Sequence, residues 1–379
     1  MSVHAETQIN NIIFMEDCMN NEEKILSWLE DEESRFIFCK RMEYLSVKPN
    51  FKPIREMVDR CCPELSLLEN YPDKMKEFLS LVSGMNVYIW GAGVRCAKIA
   101  KMAETGDFNI IGTIDINAEK LNSSGNLDVV LYAPDDVDLT TADRLVVSIE
   151  NMSAVDSVCI YAKEHGLKDE DIIIFNDYHE SMHLLDKQYF DEIIKFEEGE
   201  VFVDAGVLDL STTLRFAQKC REQNISDFRS IAFEPDKESY SKCKEIRAQH
   251  GDLDIELVNS GLYSSNTTIG FNSLGNGNSS IMEEGGSASS IDVVTLDSYI
   301  EDRRVTYIKM DIEGAELEAL KGCAETIRKQ KPKLAISIYH KPEDMTEIPL
   351  FIKSLVPEYK FYIRHYSDSP AETILYALP

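Results

Sequence analysis

Carboxylates and glycines follow two apolar runs in the second half of the chain. Asp204 and Gly206 come after the run VFV, and Glu234 and Asp236 come after SIAF, about thirty residues further on. A glycine lets the backbone approach a ligand closely, whereas a carboxylate can pair with a cationic amine or accept both hydroxyls of a ribose. These residues predict a site for a nucleoside ligand that carries an amine. A pyrophosphate would suit it less well, because it would meet unfavourable charge.

A third acidic group lies in IKMDIEGAELEALKG, residues 308–322, where Asp311 and Glu313 stand between an apolar run and a helix pattern. His340 follows the run LAISIY, so it is predicted to lie beside Asp311 and to remove a proton from an acceptor near neutral pH. Carboxylates with an imidazole also suit a divalent ion, so a metal clamp built from these three residues is an alternative to our expectation of no metal.

Each of these acids has a simpler interpretation. Asp204 and Glu234 can be residues that cap a helix or end a strand, and Asp311 and Glu313 can be solvated loop acids. Lys309 alternates with apolar neighbours and is interpreted as a lysine that faces the edge of the sheet.

The apolar runs around these residues predict a mostly parallel sheet with strands at 201–205, 230–234, 255–258, 305–311, 333–339, 359–365 and 373–378. The last two runs lie too close for a crossover helix, so they predict an antiparallel hairpin at the edge of the sheet. Residues 264–290 are rich in Ser, Gly and Asn and predict a flexible loop.

The first half of the chain predicts two further segments. Residues 1–83 have a helical period and are interpreted as a helical segment that offers a possible surface for homo-oligomer formation. Residues 84–178 predict a smaller Rossmann-like domain with a turn at Gly91 and Gly93 and an acid, Asp115, at the end of the next strand. Cys96 stands where the third glycine of that fingerprint would be. A linker over 179–188 then leads to a domain over 188–379.

Composition excludes several classes of protein. Acidic residues outnumber basic ones 67 to 39 and give a formal charge of -28, which argues against nucleic acid and anionic membranes as partners. No apolar run approaches the length that spans a bilayer, and the first residues lack the pattern of a secretory signal, so we expect a cytoplasmic protein. The nine cysteines include no CxxC pair, which favours reduced thiols over disulfides or a zinc site.

From about Glu200 to Leu378 the chain resembles the FkbM family of S-adenosylmethionine-dependent methyltransferases. The motifs that carry the resemblance are VFVDAG, AFEPD, VVTLDSYI and YIKMDIEGAELEALKGC. The resemblance implies an α/β fold with a class I methyltransferase Rossmann-like sheet, S-adenosylmethionine as cofactor and a hydroxyl of a sugar or other small metabolite as acceptor. With this resemblance, we expect the donor to be bound by Asp204, Gly206, Asp209, Ser211, Thr212, Glu234, Asp236, Asp311 and Glu313. From their positions after neighbouring strands, we expect His340 and Asp311 to be catalytic residues. Such proteins usually carry a further glycine where this chain has Leu210.

Two other functions stay open at this point. Leu210 and Cys96 replace glycines, which favours a non-catalytic module that binds a nucleotide or a sugar through two Rossmann-like units. An NAD-dependent oxidoreductase is less well supported, because no Tyr-x-x-x-Lys pair follows the first glycine turn.

Overall fold

The computed structural model describes residues 20–46, 52–123, 130–272, 280–281 and 289–379. Within these ranges the chain forms two compact units. The larger unit comprises the described parts of 1–38, 185–364 and 371–379, and the smaller unit comprises those of 39–184 and 365–370.

The smaller unit combines helices with a five-stranded sheet. Its helices are the C-terminal part of α2 (Glu32–Ser46), α3 (Lys52–Cys61), α4 (Asp73–Val82), α5 (Val94–Thr105), α6 (Ala118–Ser123) and α7 (Met152–Glu164). Its strands are β1 (Asn86–Trp90), β2 (Asn109–Ile114), β3 (Leu131–Tyr132), β4 (Arg144–Val147) and β5 (Ile172–Ile174). The strand order is β3-β2-β1-β4-β5, and every pairing is parallel.

The turn after β1 is held by the chain itself. Gly91 has a φ of +109°, which only glycine adopts readily. The carboxylate of Asp115 accepts hydrogen bonds from the backbone N–H groups of Ala92 and Asn117, at 3.0 and 2.8 Å. In the dinucleotide-binding fingerprint this acid binds a ribose, whereas here it stabilises the glycine turn. Nucleotide binding by this unit belongs to the alternative function of a non-catalytic module.

The N-terminal residues belong to two different units, whereas the prediction placed residues 1–83 in one helical segment. Residues 20–38, which contain α1 (Asn21–Trp28), belong to the larger unit, whereas the residues from Cys39 onward belong to the smaller one. Leu29 forms a β-bridge with Phe361, and the Arg364 guanidinium donates to Asp31 at 2.6 Å. The predicted boundary at residue 83 missed this division, because a helical period gives no information about which sheet a helix packs against.

The larger unit is built on a seven-stranded sheet with the order β15-β16-β14-β13-β6-β7-β8. Its strands are β6 (Glu200–Ala205), β7 (Phe228–Phe233), β8 (Ile255–Val258), β13 (Tyr307–Met310), β14 (Lys333–Ser337), β15 (Lys360–His365) and β16 (Thr373–Leu378). Strands β8, β7, β6, β13 and β14 are neighbours in this order, and each pairs in parallel with the next. Strand β16 is antiparallel to β14, so the predicted mixed sheet with a reversed edge pair is confirmed. The helices are α8 (Ser211–Glu222), α9 (Lys237–Gln249), α10 (Leu296–Ile300), α11 (Glu316–Lys321), α12 (Ala324–Gln330) and α13 (Asp344–Leu355).

Residues 264–290 are only partly a loop, so that prediction was wrong. Strands β9 (Gly261–Leu262), β10 (Thr267–Asn272), β11 (Ser280–Ile281) and β12 (Ser289–Val294) form a second sheet with the order β11-β10-β12-β9. The β-branched residues at 267–269 pair with 291–293, a long-range contact that the Ser, Gly and Asn content of the segment concealed. Residues 273–279 and 282–288, also part of that prediction, lie outside the described residues.

Two smaller observations complete the fold. The cysteines within the described residues form no disulfide bond with one another. No described helix is long and apolar enough to cross a membrane.

Candidate functional site

The strand order brings the predicted acids and His340 together at the edge of the large sheet formed by the carboxyl ends of its parallel strands. Strands β7, β6, β13 and β14 are neighbours, and Glu234, Asp204, Asp311 and His340 lie at or just beyond their carboxyl ends. In open α/β sheets this edge is where ligands bind.

Asp204 is fully buried and its carboxylate is occupied within the protein. Thr213 Oγ1 donates to Asp204 Oδ2 at 2.7 Å, and Lys309 Nζ lies 3.1 Å from Asp204 Oδ1. Lys309 also donates to the carbonyl oxygens of Ala205 and Gly206, at 3.2 and 2.7 Å. A lysine inside the sheet thus takes the place predicted for the amine of a ligand. Lys309 is 2% exposed, so its interpretation as a lysine at the sheet edge was wrong.

The loop after β6 has an unusual backbone. Gly206 has a φ of +80°, and a Cβ atom there would lie 1.9 Å from the carbonyl oxygen of Asp311, so any other residue would force the backbone to shift. Leu208 and Leu210 also have positive φ values, of 54° and 62°. Leu210 thus keeps the left-handed conformation that a glycine would adopt easily, and it is fully buried. Strain of this kind costs about 1 to 3 kcal/mol per residue and is concentrated at functional sites.

Glu234 faces this loop from the end of β7. Its Oε2 accepts from the Leu208 N–H at 2.8 Å, and its Oε1 accepts from the Asp236 N–H at 2.9 Å. Glu234 is 6% exposed, and burial raises its pKa although both hydrogen bonds oppose the rise. Each carboxylate oxygen retains one more lone pair for a ligand hydroxyl.

The remaining residues predicted to bind the donor lie nearby in sequence. Asp236 is the N-cap of α9 and accepts from the N–H groups of Glu238 and Ser239, which is the simpler interpretation of an acid at a strand end. Asp209 and Ser211 are exposed, and Asp209 Oδ1 accepts from the Ser211 N–H at 3.0 Å. Thr212 is half-buried in the first turn of α8.

Asp311 is the centre of a hydrogen-bonded group. Tyr189 Oη donates to Asp311 Oδ2 at 2.6 Å, and Tyr339 Oη donates to Asp311 Oδ1 at 3.2 Å. Burial raises the pKa of Asp311, but Lys309, His340 and the two phenols outweigh burial and hold it below its usual range. Asp311 is therefore a carboxylate at neutral pH.

His340 is surrounded by carboxylates. Its Nδ1 lies 3.0 Å from Glu316 Oε1, and its Nε2 lies 3.3 Å from Asp311 Oδ1 and 3.6 Å from Glu313 Oε2. Burial lowers the pKa of His340, but the contact with Glu316 and the other two charges raise it to about 9. Burial and the neighbouring acids raise the pKa of Glu313 to about 7, although His340 opposes the rise.

Several residues of the site were missed in the sequence. Glu316 is fully buried beside His340, and the spacing of Glu313 and Glu316 on either side of Gly314 was the available signal. Tyr189 directly follows the predicted linker, and Gln188 donates to both Tyr189 Oη and the Glu372 carboxylate. The sequence gives no comparable signal for Tyr189 or Glu372, because neither stands at the end of a parallel strand.

A comparison with protein families identifies the centre of the larger unit. Residues 202–361 match the family described as the Methyltransferase FkbM domain. These residues form a methyltransferase FkbM domain. The FkbM domain holds the acids and glycines of the sheet edge from Asp204 to His340, whereas Tyr189 and Glu372 complete the site from outside its limits.

Solved structures of other methyltransferases are similar to this chain. Methyltransferase FkbM from Methylobacillus flagellatus KT is 19% identical, with 90% of this chain and 98% of that chain covered and a TM-score of 0.48. An rRNA methylase from Streptococcus thermophilus is 16% identical, with 48% and 89% covered and a TM-score of 0.31. A fibrillarin from Aeropyrum pernix, in complex with natively bound S-adenosyl-L-methionine, is 10% identical, with 48% and 67% covered and a TM-score of 0.30. No curated protein matches the chain.

Proposed function

We propose that this protein is an S-adenosylmethionine-dependent methyltransferase that methylates a hydroxyl of a sugar or other small metabolite. The observation that carries the proposal is the FkbM domain with Glu234 beside a left-handed glycine loop, at the carboxyl edge of the sheet. The cofactor supplies an electrophilic methyl group, and the protein has to hold donor and acceptor in line.

The residues at this edge fit such a donor. Glu234 has lone pairs left for the ribose hydroxyls, and Gly206 lets the loop lie close to the end of β13. The ammonium group of Lys309 already pairs with the carboxylate of Asp204. We therefore assign the methionine amine to Asp209, an exposed acid in the loop after β6. In this assignment Asp204 does not contact the donor. It holds Lys309, which donates to the carbonyl oxygens of Ala205 and Gly206.

The acceptor side is assigned to Asp311 and His340. A general base needs a ring nitrogen that can accept a proton, but both nitrogens of His340 face carboxylates. We therefore propose Asp311 as the acceptor of a hydrogen bond from the substrate hydroxyl and His340 as the residue that positions Asp311. Glu313, Glu316 and Glu372 add negative charge, which favours a neutral or cationic acceptor over a phosphorylated one.

Calorimetry of the full chain tests the proposal. S-adenosylmethionine and its demethylated product should both bind with a stoichiometry of one, and NAD should not bind at the same concentrations. Binding of NAD alone would favour the oxidoreductase, whereas binding of none of the three would refute the methyltransferase assignment.

A further inference from the structure

We propose that Asp311, Glu313 and His340 bind one divalent cation. Their candidate ligand atoms lie within 4.8 Å of one another. With metal–ligand bonds of roughly 2.1 Å, ligand atoms at right angles lie roughly 3.0 Å apart and opposite ones roughly 4.2 Å apart. The distances of 3.3 and 3.6 Å from His340 Nε2 to the two carboxylates therefore fit three ligands on one ion after small shifts.

The ring of His340 is oriented for this role. Its side chain is 10% exposed, and Nδ1 lies 3.0 Å from Oε1 of the fully buried Glu316. A carboxylate behind the second ring nitrogen is the usual arrangement of a histidine that binds a metal. Both ring nitrogens are buried without a hydrogen-bond partner among the described residues, and Nε2 lies 3.3 Å from the carboxylate of Asp311 and 3.6 Å from that of Glu313. Buried polar atoms in folded proteins nearly always have a bonding partner, and an ion bound between the three groups would be such a partner for Nε2.

The charges of the cluster support a cation. Asp311, Glu313 and Glu316 face one imidazole, and no lysine or arginine within the described residues forms an ion pair with any of the three acids. Lys309, the nearest buried cation along the chain, pairs with Asp204 instead. Glu313 also has a φ of +55°, so a strained backbone holds this side chain next to His340.

The mixed ligands indicate the class of ion. An imidazole with two carboxylates suits Mn²⁺ or Zn²⁺, because hard ions such as Ca²⁺ take oxygen ligands. Three protein ligands leave positions open for an oxygen of the acceptor, whose hydroxyl the ion would make more acidic as a Lewis acid. This catalytic role rests on the proposed methyltransferase function, whereas binding of the ion does not.

Metal titration of the full chain without donor tests the proposal. After treatment with EDTA and dialysis, the protein is titrated with MnCl₂ while free Mn²⁺ is followed by electron paramagnetic resonance, and with ZnCl₂ by calorimetry. We expect one ion per chain, with affinity lowered about tenfold or more in Glu313→Gln and His340→Gln. Glu347→Gln removes the same charge from an exposed position on α13 and should bind like the wild type.

Two results would overturn the proposal. One is that neither ion binds at millimolar concentration, which would show that the cluster is an imidazolium paired with its acids. The other is equal affinity in Glu313→Gln and the wild type, with circular dichroism showing that both are folded. If the variants unfold, Glu313→Asp keeps the charge and must still weaken binding. Calorimetry with S-adenosylmethionine on the same samples separates a failed metal proposal from a failed methyltransferase proposal.

Discussion

Lys309 and Asp204 form an ion pair between two neighbouring strands inside the sheet of the FkbM domain. The register of β13 and β6 places the two residues directly opposite each other, and the side chains are 3% and 0% exposed. Lys309 also donates to the carbonyl oxygens of Ala205, the last residue of β6, and Gly206, the first residue of the following loop. The ion pair thus links the packing of the sheet to the shape of the proposed donor site.

The first prediction follows from this burial. Lys309→Met leaves the carboxylate of Asp204 buried without a cation, so the free energy of unfolding should fall by about 3 to 5 kcal/mol, as measured by urea denaturation. Lys329→Met, at a lysine whose side chain is 74% exposed, is the control and should change stability little. Asp204→Asn added to Lys309→Met should recover part of the loss. Equal stability of Lys309→Met and the control would refute this role.

A second prediction concerns Gly206. In Gly206→Ala the added Cβ atom would overlap the carbonyl oxygen of Asp311, so the loop has to move and affinity for S-adenosylmethionine should fall about tenfold or more. Gly251→Ala is the matched control, since a Cβ atom there meets no atom within 4 Å. Donor calorimetry on both proteins checks this. An alanine at 206 that binds like the control would show that the loop does not shape the donor site.

The strands of the large sheet could be predicted from the sequence, but the pairing inside it could not. Central parallel strands are buried on both faces, so β6, β13 and β14 appear as mostly apolar runs, and the ends of these runs indicated the edge at which we place the proposed site. The contact between Lys309 and Asp204 depends on the register of strands that are far apart in sequence, which no local pattern reports. Glu372 and Tyr189 were missed for the same reason, since tertiary contacts bring them to the site.

A third prediction concerns acid stability of the smaller unit. Burial, with help from Arg41, lowers the pKa of His365 to about 3, and burial, with Lys98, lowers that of His179 to about 4. Both residues ionise near pH 6.5 when unfolded, so below that value the unfolded state binds more protons. The stabilisation is fully present above about pH 6.5 and is lost as the pH falls toward the folded values, by up to about 1.4 kcal/mol per pH unit for the fully buried His365.

Urea denaturation of the full chain at several pH values measures this dependence. His365→Gln removes one of the titrating groups, so its stability should fall less steeply than that of the wild type between about pH 6.5 and 4. The difference in slope between the two proteins isolates His365 from the carboxylates, which titrate in both. Identical slopes would contradict the assignment of a buried, unprotonated His365 in the folded state.

The affinity of Glu234→Ala for S-adenosylmethionine tests the proposed function most directly. Glu234 is the acid beside the glycine loop. Removal of the hydrogen bonds that we propose between Glu234 and the ribose should weaken binding by about 1 to 3 kcal/mol in calorimetry. Glu238→Ala, which removes an exposed glutamate from the first turn of α9, is the control. We predict that the wild type and Glu238→Ala bind the donor alike and that Glu234→Ala, folded by circular dichroism, binds it about tenfold or more weakly. Equal donor affinity in all three proteins would contradict a donor site at this edge of the sheet.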